Sequence, residues 1–443
     1  MSHDSASEGG SPLDDDDLSH VFVEFADMNG LSRSKQVAAD HFRSRIEAGF
    51  SMNLAHVTQT PRSDVVEGSK YGAPVEWADG TLYPDLDTLR RVPWREDAAR
   101  VICEFEFEGT PVEGVPRRAL RRVVDDATAR GFDPTVGNEL EFYLLEPAEG
   151  GYEPVTNDKH ENLTRAAEAM APFYDRVYDW APAFGLDPTA AHHEFGAGQF
   201  EIAFEPGPPV EQADRTFRFK ELVKQAADVD GHEATFMAKP FTDRSGSGYH
   251  LHVSLFEDGA NVLEAAEGSA TGASGELSRR GEHFVGGLVE HAPALTALGT
   301  PNLNGYKRHQ PGTFAPHSVS WGYGTRMASI RVPAHGTTRI ENRIPSADAN
   351  PYLVVASTLA AGLHGIEAEI DPPAPSTGET ADDRPALPST PHDALDALAR
   401  DDALAERLGP SLVSEYVLQK RQEVDEFYEE TTDWERRRYV DVL

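Results

Sequence analysis

Gly137-Asn138-Glu139-Leu140-Glu141-Phe142-Tyr143-Leu144-Leu145 runs from two carboxylates into an apolar stretch. Side chains alternate along a strand, so Glu139 and Glu141 share one face while Leu140 and Phe142 take the other. Alone, the segment also reads as the solvated face of a sheet. The pattern recurs, however. His250, His252 and Ser254 share a face in Tyr249-His250-Leu251-His252-Val253-Ser254-Leu255, after a Gly-Ser-Gly turn. Arg339, Glu341 and Arg343 align in Arg339-Ile340-Glu341-Asn342-Arg343-Ile344, and Gln199-Phe200-Glu201-Ile202-Ala203-Phe204 follows His192-His193-Glu194. Four strands with a functional-looking polar face are harder to dismiss as solvated surface than one.

If those faces converge, Glu139, Glu141, Glu194, Glu201 and Glu341 cannot all stay ionised without counter-charge. Divalent cations supply it. Mostly oxygen donors, a single imidazole and no thiolate suit Mg²⁺ or Mn²⁺ better than a structural Zn²⁺. Arg308, Arg326, Arg331, Arg339 and Arg343 fall within 36 residues poor in Lys. Metal plus several arginines suits a transferring phosphoryl group, whose catalysis is largely positioning and charge neutralisation; surface ion pairs are the other reading of the same arginines. No GxxxxGK[ST] or GxGxxG loop is present, which excludes a P-loop or Rossmann mode of nucleotide binding.

The 443 residues carry 40 basic and 75 acidic side chains, a net charge of −35. That balance disfavours nucleic acid as a partner. It also points to a salt-adapted cytoplasm, where counterions relieve self-repulsion. Only 8 of the cations are Lys, against 32 Arg. The single Cys103 allows no internal disulfide and reads as a small buried residue of an apolar strand. No run of 18 apolar residues occurs and Met1–Asp17 has no apolar signal region, so a soluble cytoplasmic protein without membrane contact is expected.

The organisation is expected to be α+β. Residues 1–17 read as a disordered acidic tail. A small sheet domain over 18–112 opens with a strand at His20–Ala26, its Val21, Val23 and Phe25 inward, then a hairpin at Asn29-Gly30. Val101–Phe107 is another of its strands, and the Pro- and Gly-rich Gly109–Pro116 marks the boundary to a larger domain over 113–443. Helical spacing predicts helices at Arg117–Arg130, Leu163–Phe184, Asp214–Asp230 and Gly281–Leu298, with a helical end from His392 to Leu443. Glu257–Leu277 and Asp371–Thr390 read as loops.

Together these segments resemble the glutamine synthetase family. The strings that carry the resemblance are NELEFYLLEP (138–147), HHEFGAGQFEIAFEP (192–206), AKPFTDRSGSGYHLHVSLF (238–256), HAPALTALGTPNLNGYKRHQPGTFAP (291–316), RMASIRVP (326–333) and TRIENRIPSADANPY (338–352). The resemblance implies a β-grasp N-terminal domain and a catalytic domain whose antiparallel sheet is lined with metal ligands and flanked by helices. It implies two or more divalent cations per site, one on Glu141, Glu194 and Glu201, a second on Glu139, His250 and Glu341. Arg308, Arg343 and the Gly246 backbone would hold glutamate, while Arg326, Arg331, Arg339, His252 and Ser254 would line the phosphates of ATP. It further implies a ring-forming homo-oligomer, hexamer or dodecamer, with sites between neighbouring subunits. Its chemistry is phosphorylation of the glutamate γ-carboxylate by ATP, then displacement of phosphate by a nitrogen nucleophile.

Departures from the family pattern are as informative. Ammonia-using members carry an Asp in a Phe-Asp-Gly-Ser-Ser run and a Glu in a Pro-Gly-Tyr-Glu-Ala-Pro flap. Here the first region, Gly49-Phe50-Ser51-Met52-Asn53-Leu54, has no Asp, and the flap is Pro311-Gly312-Thr313-Phe314-Ala315-Pro316 with Phe314 at the Glu position. Ser245 replaces the Asn preceding Gly246. Pro84–Leu89 and Asp433–Tyr439 resemble the branch that ligates glutamate to polyamines or other primary amines, and no Tyr lies between Tyr352 and Tyr416, where some bacterial members are adenylylated. An ATP-dependent glutamate–amine ligase is therefore the leading expectation, with a true glutamine synthetase as runner-up. A two-metal hydrolase has no use for so many Arg, and a non-catalytic sensor need not keep all six metal ligands.

Overall fold

The computed structural model describes residues 13, 17–159, 161–265, 276–310, 313–377 and 384–443. Most of the tail expected at 1–17, residues 266–275 of the first expected loop and 378–383 of the second lie outside them.

His20–Ala26 forms a strand with Val21, Val23 and Phe25 buried, as its alternation predicts. It turns at Gly30 (φ +77°) into an antiparallel partner, Ser32–Ala38. A Cβ at Gly30 would lie 3.0 Å from Asn350 Cα, so the turn needs glycine for conformation and for space. Pairing on the other edge is parallel, with the long strand Arg95–Phe107, and Asp79–Pro84 and Phe50–Asn53 complete the sheet path. Phe25, Phe42, Phe105 and Cys103 fill its core. Burial pushes the Cys103 thiol up, so it stays protonated and inert.

The second sheet has the order Pro188–His193, Gln199–Phe204, Asp133–Ala148, Tyr249–Glu257, Ile340–Asn342, Ile330–Val332, Trp321–Tyr323. It is antiparallel except for its last pair, which runs parallel. Leu140 and Phe142 are fully buried, and Phe142 meets Phe219 of the helix Pro209–Asp228 at 6.4 Å between ring centres. Helices Pro116–Ala129, Pro209–Asp228 and Pro351–Glu367 pack together within this core. The acids and imidazoles are left on the opposite face. This is an α+β architecture.

Two expected helices are broken. Leu163–Phe184 divides into Thr164–Ala169, Ala171–Trp180 and a 3₁₀ turn at Ala181–Phe184, and Gly281–Leu298 into Arg279–Glu290 and Ala292–Gly299. Pro172 and Pro293 stand at the start of the second pieces, where a missing N–H is harmless but a continuing helix would be blocked. The expected helix at Asp214–Asp230 starts earlier, at Pro209, for the same reason. The loop expected from Glu257 begins as a hairpin, Ala260–Asn261 pairing with Phe256–Glu257. The C-terminal part is helical as expected, in four pieces from Pro391 to Tyr439. Among the described residues no helix is long and apolar enough to cross a membrane.

Buried ion pairs tie the elements together. Arg117 of the helix Pro116–Ala129 reaches Asp85, just after the strand Asp79–Pro84, and Asp214 of the helix Pro209–Asp228, both at 2.8 Å. Arg100 pairs with the fully buried Glu24.

Candidate active site

Register turns the alternating sequence into a grid. Glu141 stands opposite Glu201, and Glu201 opposite His192. Two residues along, Glu139 faces His250, and beyond it His252 faces Glu341, which faces Arg331. The strand period therefore places every expected metal ligand of the sheet on one surface. Three groups have donor atoms close enough to share an ion: Glu139, Glu201 and His250; Glu139, His252 and Glu341; His192, Glu194 and Glu201. His252, expected beside the nucleotide, stands among the ligands, its Nε2 3.1 Å from Glu139. His192 was not expected there, although its place at i−2 from Glu194 gave a signal.

The electrostatics fit divalent cations. Burial and the surrounding carboxylates of Glu139, Glu141, Glu194 and Glu341 push the Glu201 carboxyl well above its ordinary range. Burial also acts against ionised Glu139, but His250 and His252 outweigh it and hold the carboxyl low. Glu341 is held at about 2, where Arg343 and the nearby histidines overcome burial. So dense a set of hard oxygens with imidazole among them is donor chemistry that fits divalent cations. Glu141 is fixed by hydrogen bonds from the Gly248 backbone (2.8 Å) and Gln199 Nε2 (2.9 Å).

Two cavities flank this grid. The first, of about 410 Å³, contains Glu141, Glu194, His250, Gly246, Arg308 and Arg343. The second, of about 390 Å³, contains Glu139, His252, Arg326, Arg331, Arg339 and Glu341, and also touches Arg343. Arg308, Arg343 and Gly246, expected to hold glutamate, thus line the first cavity, and Arg326, Arg331, Arg339 and His252, expected beside the phosphates, line the second, with Arg343 bordering both. Arg308 is buried and donates to the carbonyls of Ile344 (3.0 Å) and Arg343 (3.3 Å). Gly246 and Gly248 make room for it: a Cβ on either would come within 2.8 Å of its side chain. Arg331 Nη1 lies 2.7 Å from Glu341, and Arg339 Nε lies 3.3 Å from His252 Nδ1. Ser254 reaches neither cavity, since its hydroxyl donates to the Thr338 carbonyl at 3.1 Å.

The model of the glutamine synthetase catalytic domain matches residues 113–439. The chain belongs to the glutamine synthetase family. It is an ATP-dependent carboxylate–amine ligase. The glutamine synthetase of Pyrococcus abyssi is 35% identical over 452 residues, covering 95% of this chain and 96% of that protein. The gamma-glutamylethanolamide synthetase GlnA4 of Streptomyces coelicolor is 33% identical over 441 residues, covering 95% and 92%. Among solved structures, a GmaS/ADP complex superimposes with a TM-score of 0.85 at 30% identity, covering 96% of this chain and 97% of that one.

Sequence reasoning passed over two residues of the first cavity, Phe195 and Lys159. In Glu194-Phe195-Gly196 the phenylalanine looks like any core residue, yet it is 38% exposed and its ring meets Phe314 at 5.3 Å.

Proposed function

We propose that this enzyme joins the γ-carboxylate of glutamate to an organic primary amine in preference to ammonium. The observation that carries the reading is Phe314, an exposed ring in the glutamate-side cavity at the flap position where the resemblance expects a carboxylate. Ammonium is compact and strongly hydrated, and its desolvation needs anionic partners. An amine with a carbon tail finds apolar contact instead. The kinship with GlnA4, an amide synthetase for an organic amine by its name, supports the same reading.

In the mechanism that follows, Arg308, Arg343 and the Gly246 backbone hold glutamate with its γ-carboxylate at the acidic grid. Arg326, Arg331 and Arg339 receive the ATP phosphates from the other chamber. A γ-carboxylate oxygen attacks the γ-phosphorus, ADP leaves, and the arginines neutralise the charge on the transferring group. Mg²⁺ or Mn²⁺ held by Glu139, Glu141, Glu194, Glu201, His250 and Glu341 supplies the remaining neutralisation when bound. The amine nitrogen then attacks the acyl carbon, the carbon–oxygen bond to phosphate breaks, and the nitrogen gives up a proton as the amide forms.

The reading extends to a β-grasp unit over 18–112, a catalytic unit over 113–443, a ring-forming hexamer or dodecamer, and a salt-adapted cytoplasm. Its runner-up, a true glutamine synthetase, is favoured by the name of the Pyrococcus abyssi relative. An assay of glutamate-dependent phosphate release with ammonium, ethanolamine, putrescine and spermidine separates them. A higher kcat/KM with at least one organic amine is expected; turnover of ammonium alone establishes the runner-up.

A further inference from the structure

The mouth of the glutamate-side cavity differs in chemistry from its floor. Phe314 is 60% exposed and packs edge-to-face on Phe195, their ring planes 78° apart. Lys159 Nζ stands 4.5 Å from the centre of the Phe195 ring. Resting on the amine-ligase reading above, we propose that this aromatic pair is the subsite for the tail of the amine, and that Lys159 makes it select an uncharged tail over one ending in a second ammonium.

Two exposed rings give an alkyl chain apolar surface, and their fixed edge-to-face contact leaves little side-chain freedom to lose on binding. A cation on the tail has two possible partners here, a ring face or an anion. The Phe195 ring already carries the Lys159 ammonium, so a second cation gains less from the ring quadrupole and meets like charge. Asp243 lines the mouth outside the acidic grid, and its sequence neighbour Arg244, tied to Asn157 Oδ1 at 2.7 Å, offsets it in formal charge. Lys159 and Arg244 against Asp243 leave the mouth with one net positive charge. This is notable in a chain of net charge −35 with eight lysines. Glu194 points inward, its Oε1 2.8 Å from His192.

The test compares n-pentylamine with 1,4-diaminobutane, near-isosteres that differ in one end group, using the full-length enzyme with ATP, glutamate and Mg²⁺. Wild type is expected to show at least tenfold higher kcat/KM for n-pentylamine. Lys159→Gln is expected to narrow that ratio at least threefold by improving the diamine, with KM for ATP unchanged. Phe195→Ala is expected to lower kcat/KM for n-pentylamine at least tenfold more than it lowers that for ammonium. Equal or better turnover of the diamine by wild type overturns the inference while sparing the amine-ligase reading. So does a ratio unmoved by a folded Lys159→Gln enzyme. If no organic amine is turned over, the reading itself fails and takes the inference with it. Should Phe195→Ala not fold, Phe195→Leu keeps an apolar wall without a ring face, and a monoamine preference that survives Lys159→Gln in that background also counts against the proposal.

Discussion

Arg331 and Glu341 face each other in antiparallel register, and their side chains close the pair at 2.7 Å. The other Glu341 oxygen receives Arg343, whose guanidinium also borders the glutamate chamber. Glu341 therefore aligns one arginine toward each chamber while serving as a candidate ligand. Loss of one preorganised charge-stabilising donor of this kind costs about 3–4 kcal/mol in the transition state. Arg331→Ala is expected to lower kcat by roughly 10²–10³-fold. Steady-state phosphate release measures it, and an unchanged kcat/KM for ATP removes Arg331 from phosphoryl transfer.

Glu201 offers a stability test of the cation site. Its carboxyl is raised by burial and by neighbouring carboxylates, so the folded state binds its proton more tightly than the unfolded chain. The sign follows: this contribution is fully present below the ordinary carboxylate value and is lost as pH rises through the folded value. In metal-free protein near pH 7.5, Glu201→Gln is expected to raise the melting temperature. The same variant should lose most of the stabilisation wild type gains from added Mn²⁺. Equal Mn²⁺-induced shifts in the two proteins dissociate Glu201 from metal binding.

These expectations show where sequence is transparent and where it is not. Period two alone puts Glu139 beside Glu141 and His250 beside His252, because the alternation is local. Which strand lies against which is not local. Glu141 meets Glu201 at a separation of 60 positions, and His252 meets Glu341 at 89, in a register chosen by packing of Leu140, Phe142 and Leu251 in the core. His252 consequently borders the candidate ligands as well as the cavity of Arg326, Arg331 and Arg339, and Ser254 gives its hydroxyl to the Thr338 carbonyl. Proline marks the helix breaks at 172 and 293 plainly, but apolar periodicity on either side masks it.

Acid sensitivity is expected from the buried pair of Glu24 and Arg100. Burial pushes the Glu24 carboxyl up, yet Arg100 with Arg218 outweighs it and holds the carboxyl below its ordinary value. The stability it contributes is present above the unfolded carboxylate value, near 4.5, and is lost as pH falls through the folded value. Glu24→Ala leaves two buried guanidinium groups without their anion and is expected to destabilise by about 3–5 kcal/mol. Chemical denaturation at pH 7 measures this; a loss below 1 kcal/mol rejects the pairing as a structural element.

Salt should stabilise the protein. With 75 acidic against 40 basic side chains, repulsion between surface carboxylates is relieved as the screening length falls from about 10 Å at 0.1 M to about 3 Å at 1 M salt. The melting temperature is expected to climb through that range of KCl. A flat profile from dilute to molar KCl would remove the argument for salt adaptation.

The proposed choice of an organic amine rests on Phe314, and converting that residue tests it directly. The ring stands in the glutamate-side cavity with its neighbour Phe195 behind it, and the N-terminal segment Phe50–Asn53 carries no Asp. At the flap, where Phe314 stands, an ammonium ion finds no carboxylate to offset its lost hydration or to take its proton. A carbon tail lying on the rings orients the attached nitrogen toward the acyl carbon, a gain that ammonium cannot share. Phe314→Glu restores an anion at the flap and removes half of the aromatic pair. Both changes act in the same direction, so the ratio of kcat/KM for ammonium to that for an alkylamine should rise by at least tenfold. KM for ATP serves as the control, because the second cavity, proposed for the phosphates and bordered by Arg326, Arg331 and Arg339, does not include residue 314. A folded Phe314→Glu enzyme with an unaltered ratio would place amine selection elsewhere in the cavity.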